Sequence, residues 1–265
     1  MKNFNIFYLI LFSLFSCAGT EERSDSLLNV FMVDAPADID ALWVELLGVE
    51  VYVSASEGGE SSEPIFFPYQ AGNQMVDIKQ LIAGQEVLIG RGEVRTGSLT
   101  KLKLRLGDEN YLIKDARRIN LDLTESAREG LEVDFLFNLR PGISHDVYID
   151  FDLLKSVKAP NDPLDSYELL PSLSAFSKAN TGEISGAILP AREDAFLYAI
   201  QQNDTTTTGV NIRGTGQFLF RGLEGTYTIF VIPKNEDYIA DTILSVIVQP
   251  QTVTQLGNIT LRERD

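Results

Sequence analysis

The chain has one cysteine, one histidine and one tryptophan in 265 residues, and 22 basic residues stand against 38 acidic ones. Its lone histidine, His145 in Ser144-His145-Asp146, sits in a turn between neighbours, whereas a Ser/His/Asp triad needs groups converging from distant parts of a fold. No G-x-S-x-G elbow presents a serine, and there is no H-E-x-x-H, no P-loop and no Rossmann glycine pattern behind a suitable strand. His145 therefore reads as a turn residue at a strand entrance, and the familiar enzyme classes lose their signatures. The formal charge of −16 argues against nucleic acid as a partner and against lying flat on anionic lipid. What is present, 44% hydrophobic residues, suffices for one large or two ordinary globular domains.

Long apolar runs are also scarce, with one exception. MKNFNIFYLILFSLFS opens with a lysine and continues from Phe4 as roughly a dozen apolar and small residues, too short to span a bilayer and suited to a signal-peptide core. Cys17 follows at once in Leu14-Phe15-Ser16-Cys17. This resembles the bacterial lipoprotein cleavage box, with a branched aliphatic residue three before the cysteine and a small one just before it. The resemblance implies cleavage before Cys17, diacylation of its sulfur and usually acylation, as with palmitate, of the new amino terminus. Each buried methylene adds about 0.8 kcal/mol, so two or three chains hold a protein on a membrane essentially permanently.

The expected organisation is a signal peptide over 1–16 and a lipidated tether over 17–26, AGTEERSDS after the cysteine. The expected location is the bacterial envelope, on the outer membrane, in its periplasmic or its surface leaflet; Glu21-Glu22 looks similar to the acidic signals that send some lipoproteins to the surface. With Cys17 consumed, the mature chain has no thiol for a disulfide, a nucleophile or zinc. Loss of Lys2 takes the basic count from 22 to 21 against 38 acidic residues, a net of −17.

Beyond the tether nearly every segment alternates with period two, and turns are marked by Gly, Asn, Asp and Pro, which predicts an all-β chain. Aliphatic residues occupy even positions in Leu42-Trp43-Val44-Glu45-Leu46 and odd ones in Val49-Glu50-Val51-Tyr52-Val53, so a β-bulge is expected at Leu47-Gly48. Leu102, Leu104 and Leu106 point to one face while Lys101, Lys103 and Arg105 point to the other, and Leu131 to Phe137 alternates likewise. Met75 to Gly84 is the main candidate for a short helix. Ser177 to Gly182 reads as a polar hinge between a domain over 27–177 and one over 178–265, and Gln201 to Thr208 as a flexible hairpin tip.

Several short motifs in order, Asp34-Ala35-Pro36, Val76-Asp77-Ile78 before Gly84, the Lys101 to Leu106 strand, Tyr148-Ile149-Asp150-Phe151-Asp152 with Lys155-Ser156-Val157, and Leu170-Pro171, resemble domain of unknown function family 4382. That family occurs on bacterial lipoproteins and has no assigned activity. About 181–265 resembles the carboxypeptidase regulatory-like domain, a prealbumin-type sandwich, through Gly182-Glu183-Ile184-Ser185-Gly186 and the stretch Gly216 to Tyr227. The resemblance implies two tandem β-sandwich domains, immunoglobulin-like and prealbumin-like, with the second not catalytic and either binding or only supporting.

The carboxylate clusters are the constellation with chemical promise. Asp34, Asp38 and Asp40 share one loop and are the candidate calcium ligands, Asp150 and Asp152 share a strand, and Asn161, Asp162 and Asp165 share NDPLD; none matches the D-x-D-x-D-G loop. In VYIDFDLL the alternation sends Ile149, Phe151 and Leu153 inward and both aspartates outward, with α-carbons about 6.6 Å apart. They are expected to pair with Lys101, Lys103 and Arg105 on a neighbouring strand. The function expected is a non-enzymatic, lipid-anchored binding, adhesion or scaffold module that recognises glycan or another envelope protein, without a cofactor unless calcium. The alternatives are a glycan-processing or other hydrolase with an unrecognised carboxylate site, and a structural spacer.

Overall fold

The computed structural model describes residues 25–35, 39–55, 63–158, 167–202 and 204–264. The chain is all-β, and its strands form two sandwiches, each around its own hydrophobic core. In the first, a four-stranded sheet orders Ser172–Phe176, Ser144–Asp152, Asp25–Ala35 and Val87–Arg95, with Asp25–Ala35 parallel to Ser144–Asp152. It packs on a nine-stranded sheet whose spine is the long strand Ala41–Ser54, flanked by Asn110–Lys114 along its first half and by Gly97–Leu106 along its second. Leu28, Val30, Met32, Val147, Ile149 and Phe151 of the small sheet meet Leu42, Val44, Val49, Leu102 and Leu104 of the large one, all fully buried. Each such side chain contributes about 1.5–3 kcal/mol on leaving water.

The expected bulge is there. Pairing with Gly97–Leu106 slips between Leu46 and Gly48, which returns Val49, Val51 and Val53 to the face of Leu42, Val44 and Leu46. Gly48 has φ +146°, and a β-carbon on it would stand 2.3 Å from the carbonyl oxygen of Phe67 on the adjoining strand Ile65–Pro68. Gly48→Ala is therefore expected to lower stability by about 2 kcal/mol, read as a shifted urea midpoint at unchanged slope. A midpoint within error of wild type would show that the bulge relaxes freely.

Met75 to Gly84 does not make the expected helix. Met75–Asp77 pairs with Ala41–Ser54 as a strand, and only Ile78–Gln80 forms a 3₁₀ turn before Ala83 and Gly84 reverse the chain with positive φ. Two short α-turns occur at Glu125–Arg128 and Leu153–Ser156; in the second, Asp152 caps the backbone amide of Lys155.

In the second sandwich, a three-stranded sheet (Gln217–Leu223, Gly182–Leu189, Val253–Thr260) faces a four-stranded one (Asp204–Gly209, Ala195–Gln201, Gly225–Pro233, Asp241–Val248). Phe218 and Phe220 point inward together, edge to face at 6.0 Å, with Leu223 and Tyr227 beside them in the core. Gln201 to Thr208 is mostly strand: Ala199, Ile200 and Gln201 pair with Thr206, Thr205 and Asp204, and Thr208 is buried with its hydroxyl donating to the carbonyl of Leu219. The chain reverses beside Gln202 as a hairpin tip, with Thr205 exposed, while Thr206, Thr207 and Thr208 lie against Val33, Asp150 and Phe176 of the first sandwich.

Candidate functional site

The two sandwiches meet across the outer face of the small sheet of the first. Phe31, Tyr148 and Phe176 stack there in succession, with ring centroids 5.3 and 5.1 Å apart, and Val33 completes the cluster. Gly222 of the second sandwich presses against this row; a β-carbon on it would come within 2.9 Å of the Phe176 ring, and its φ is +74°. Beside it Arg221 crosses the seam with a side chain only 9% exposed. Its Nη2 donates to the carbonyl of Gly84 at 2.8 Å and pairs with Glu86 at 3.2 Å, while Nε stands 3.7 Å from Glu183. Lys178 joins the same two carboxylates at 3.9 and 3.6 Å, and its ammonium lies 4.7 Å above the Tyr148 ring. A guanidinium suits this role because its planar fork serves a carbonyl and a carboxylate at once.

Asp150 occupies the same seam. It stands in register with Val33 on one side and Ser174 on the other, under Thr206, Thr207 and Arg221 of the second sandwich. Burial, and after it the charge of Asp152, pushes its carboxyl from 3.8 up to about 7, with Lys155 and Arg221 opposing. Asp152 is committed locally, capping the Lys155 amide through Oδ1 and pairing with the Lys155 ammonium through Oδ2 at 2.7 Å.

The aspartates thus share the outer face, as the alternation requires, yet the expected pairing with the basic row is wrong. Ser144–Asp152 and Gly97–Leu106 belong to different sheets. Lys101 and Lys103 instead meet Glu132 at 2.7 and 3.6 Å, and Arg105 meets Glu50 at 3.3 Å, from the strands on either side of their own. Strand pairing is set by the non-local topology, which outward charge alone does not reveal.

Around the turn at Gly84 the seam opens into a cleft of about 370 Å³. Asp40, Lys79, Gln80 and Gln85 line it from the first sandwich, and Asp194, Asn211, Arg213 and Lys234 from the second. Lys79 donates to the carbonyl of Ile39, and burial followed by the charge of Lys234 pushes its ammonium below the ordinary range. Lys234 is held by Asp194 at 2.7 Å and lies 4.5 Å from the centre of the Phe196 ring.

Of the sequence-predicted site residues, Cys17, Asp38 and the side chain of Asp34 lie outside the described residues, as do Asn161, Asp162 and Asp165. Asp40 is described: its Oδ2 accepts from the Ala116 amide at 3.1 Å. Among the described residues no group of three or more His, Cys, Asp or Glu is placed to hold a metal ion. His145 is buried, accepts the Arg140 amide through Nε2 at 2.9 Å and meets Phe137 edge to face; burial lowers its pKa, and it serves the strand entrance. Among the described residues no helix is long and apolar enough to cross a membrane.

No curated protein matches the chain. Among solved structures it is similar to the Bacillus anthracis TIE protein at 10% identity, over 89% of this chain and 41% of that one, with a TM-score of 0.26. It is similar to GBS52, the minor pilin of Streptococcus agalactiae, at 10% identity over 89% and 96% of the two chains, with a TM-score of 0.25. A fimbrial protein from Bacteroides ovatus is 7% identical over 90% and 50%, with a TM-score of 0.27. The chain spans less than half the length of the first of these. Residues 25–171, more than half of the chain, match the family described as Domain of unknown function (DUF4382), and the protein belongs to that family.

Proposed function

We propose that the protein is a lipid-anchored envelope protein and a non-enzymatic binding module, whose two sandwiches act as one body. The observation that carries the binding reading is the polar cleft at the junction, built jointly by side chains of both sandwiches. Its size falls in the range of small-ligand sites, and junctions between domains are where such sites recur. The anchor rests on the short apolar run and Cys17. In this reading the second sandwich is a carboxypeptidase regulatory-like domain that supplies one wall of the cleft, in keeping with the inward Phe218 and Phe220 and the tight turn of Gly222 to Gly225. The outer membrane is the proposed location.

Two measurements on the full chain test this reading. Expressed in a Gram-negative host, wild type is expected in the detergent phase of a phase-separation assay with incorporated palmitate, and Cys17→Ser in the aqueous phase without it. Equal partitioning of the two would remove the anchor. Screened on glycan and envelope-protein arrays, the detergent-solubilised protein is expected to bind saturably; silence on both would leave a spacer.

One observation favours a second reading, hydrolysis of a glycan. Asp150, raised to about 7, lines a recess together with Asp152 and Asp204, and a glycosidase needs a protonated acid beside a second carboxylate. Against it, Asp152 is engaged by Lys155 on both oxygens. Turnover of a glycan library that disappears in Asp150→Asn would establish hydrolysis; no turnover returns the acid to a structural role.

A further inference from the structure

We propose that the cleft binds a small polyhydroxylated carboxylate, the chemistry of a uronic acid, with its anionic group held between the ammoniums of Lys79 and Lys234. This rests on the binding-module reading and names its ligand class.

The charge of the cleft comes first. Lys79, Arg213 and Lys234 face Asp40 and Asp194 there, three cations against two carboxylates, in a chain whose overall charge is −16. With Asp77 also acting on Lys79 the cations and carboxylates balance, so in so acidic a protein this cleft repels an anion less than the surrounding surface does. The two lysines come from opposite sandwiches, yet lie close enough for the charge of one to disfavour that of the other. An anion between them turns that repulsion into attraction on both sides.

The lysines are also placed in advance. Lys79 is tethered by the Ile39 carbonyl, and Lys234 by Asp194 and the Phe196 ring, so little side-chain freedom is lost when a ligand arrives. Around them the remaining groups suit hydroxyls more than a bare ion. The amides of Gln80, Gln85 and Asn211 each offer a donor and an acceptor, and Asp40 and Asp194 offer acceptors. Ile82, Val210 and Ile212 supply an apolar floor for the carbon face of a sugar ring. The volume of about 370 Å³ admits one or two such rings.

The test is calorimetric titration of the full-length protein in detergent micelles with sodium glucuronate, with glucose as the neutral analogue and a uronic acid trisaccharide run alongside. Saturable glucuronate binding is expected, with glucose at least about tenfold weaker, since one charged hydrogen-bonded contact is worth about that factor. A tighter trisaccharide marks a chain end as the natural source, and equal affinity a free acid. Lys234→Gln is expected to weaken glucuronate about tenfold, and Arg213→Gln, at an exposed position, by a smaller factor. Lys101→Gln, which pairs with Glu132 and does not line the cleft, should change nothing. Lys79→Met is read only if its circular dichroism matches wild type. The inference is overturned if glucose binds as tightly as glucuronate, or if neither Lys234→Gln nor Arg213→Gln alters affinity. If the arrays find a ligand that these variants do not affect, this inference alone fails; if nothing binds anywhere, the binding-module reading fails with it.

Discussion

Asp150→Asn is expected to melt well above wild type at pH 8 and together with it at pH 4. The folded protein holds this carboxyl near 7, against 3.8 ordinarily, because the seam removes water from it and Asp152 adds a like charge. A raised acid is favoured in its neutral form by the fold. Its contribution to stability is therefore full below pH 4, where both states are protonated, and falls as pH rises through about 7, where the folded protein must carry a charge on a half-buried carboxyl. The gap between 3.8 and about 7 corresponds to about 4 kcal/mol at most, and because the carboxyl is half-buried and lines a recess, solvent screening reduces this to about 2 kcal/mol, on the order of 5 °C in melting temperature. Asparagine has the shape of the protonated acid and no charge to bury, so the variant removes that loss at high pH.

The groups facing Asp150 are known. Lys155 and Arg221 favour its charge and are outweighed by burial; Thr207, whose hydroxyl is buried without a hydrogen-bond partner, lines the same recess. His145 titrates in the opposite sense, its lowered pKa favouring the fold above pH 6.5, but it is common to both proteins and cancels from the difference. Parallel melting curves for the two proteins from pH 4 to 8 would show that water reaches the carboxyl after all.

The face of each side chain was legible in the sequence, and what lies over that face was not. Period two placed Leu102, Leu104 and Leu106 inward, located the bulge before Val49 and put Asp150 and Asp152 outward, because alternation is a local property of an extended chain. Outward is not the same as solvated, and Asp150, half-buried under the second sandwich, shows the difference. A signal of this was present: Val30-Phe31-Met32-Val33 is apolar at every position, and Tyr148 shares the face of the two aspartates, the pattern of a strand covered on both sides. Arg221 carried no such mark. A charged residue between Phe220 and Gly222 reads as a solvated outer position, and only the docking of the second sandwich makes it a buried one. Lys79 and Lys234, 155 positions apart, likewise meet only through that docking.

Arg221→Ala is expected to loosen the two sandwiches from each other and to cost about 2 kcal/mol. The substitution leaves Glu86 and Glu183 with Lys178 alone, at 3.9 and 3.6 Å, and orphans the carbonyl of Gly84. Arg221 and Glu183 are 9% and 17% exposed while Glu86 and Lys178 are 32% and 43% exposed, so the loss falls between that of a buried pair and that of a surface pair, chiefly through Glu183 and the Gly84 carbonyl, which keep their desolvation penalty. The loss falls mainly on the seam, since the polar partners of Arg221 are the carbonyls of Gly84 and Gln85 and the carboxylates of Glu86 and Glu183, none of them in either core. Calorimetry should accordingly resolve two transitions where wild type gives one, and small-angle scattering should report a larger radius of gyration. Arg221→Lys is expected to restore little, because a single ammonium cannot serve the Gly84 carbonyl and two carboxylates in one plane. Arg221→Ala combined with Glu86→Gln and Glu183→Gln should recover part of the stability by discharging the stranded acids. One transition at unchanged radius in Arg221→Ala would mean that the stacked row of Phe31, Tyr148 and Phe176, under Gly222, holds the sandwiches together unaided.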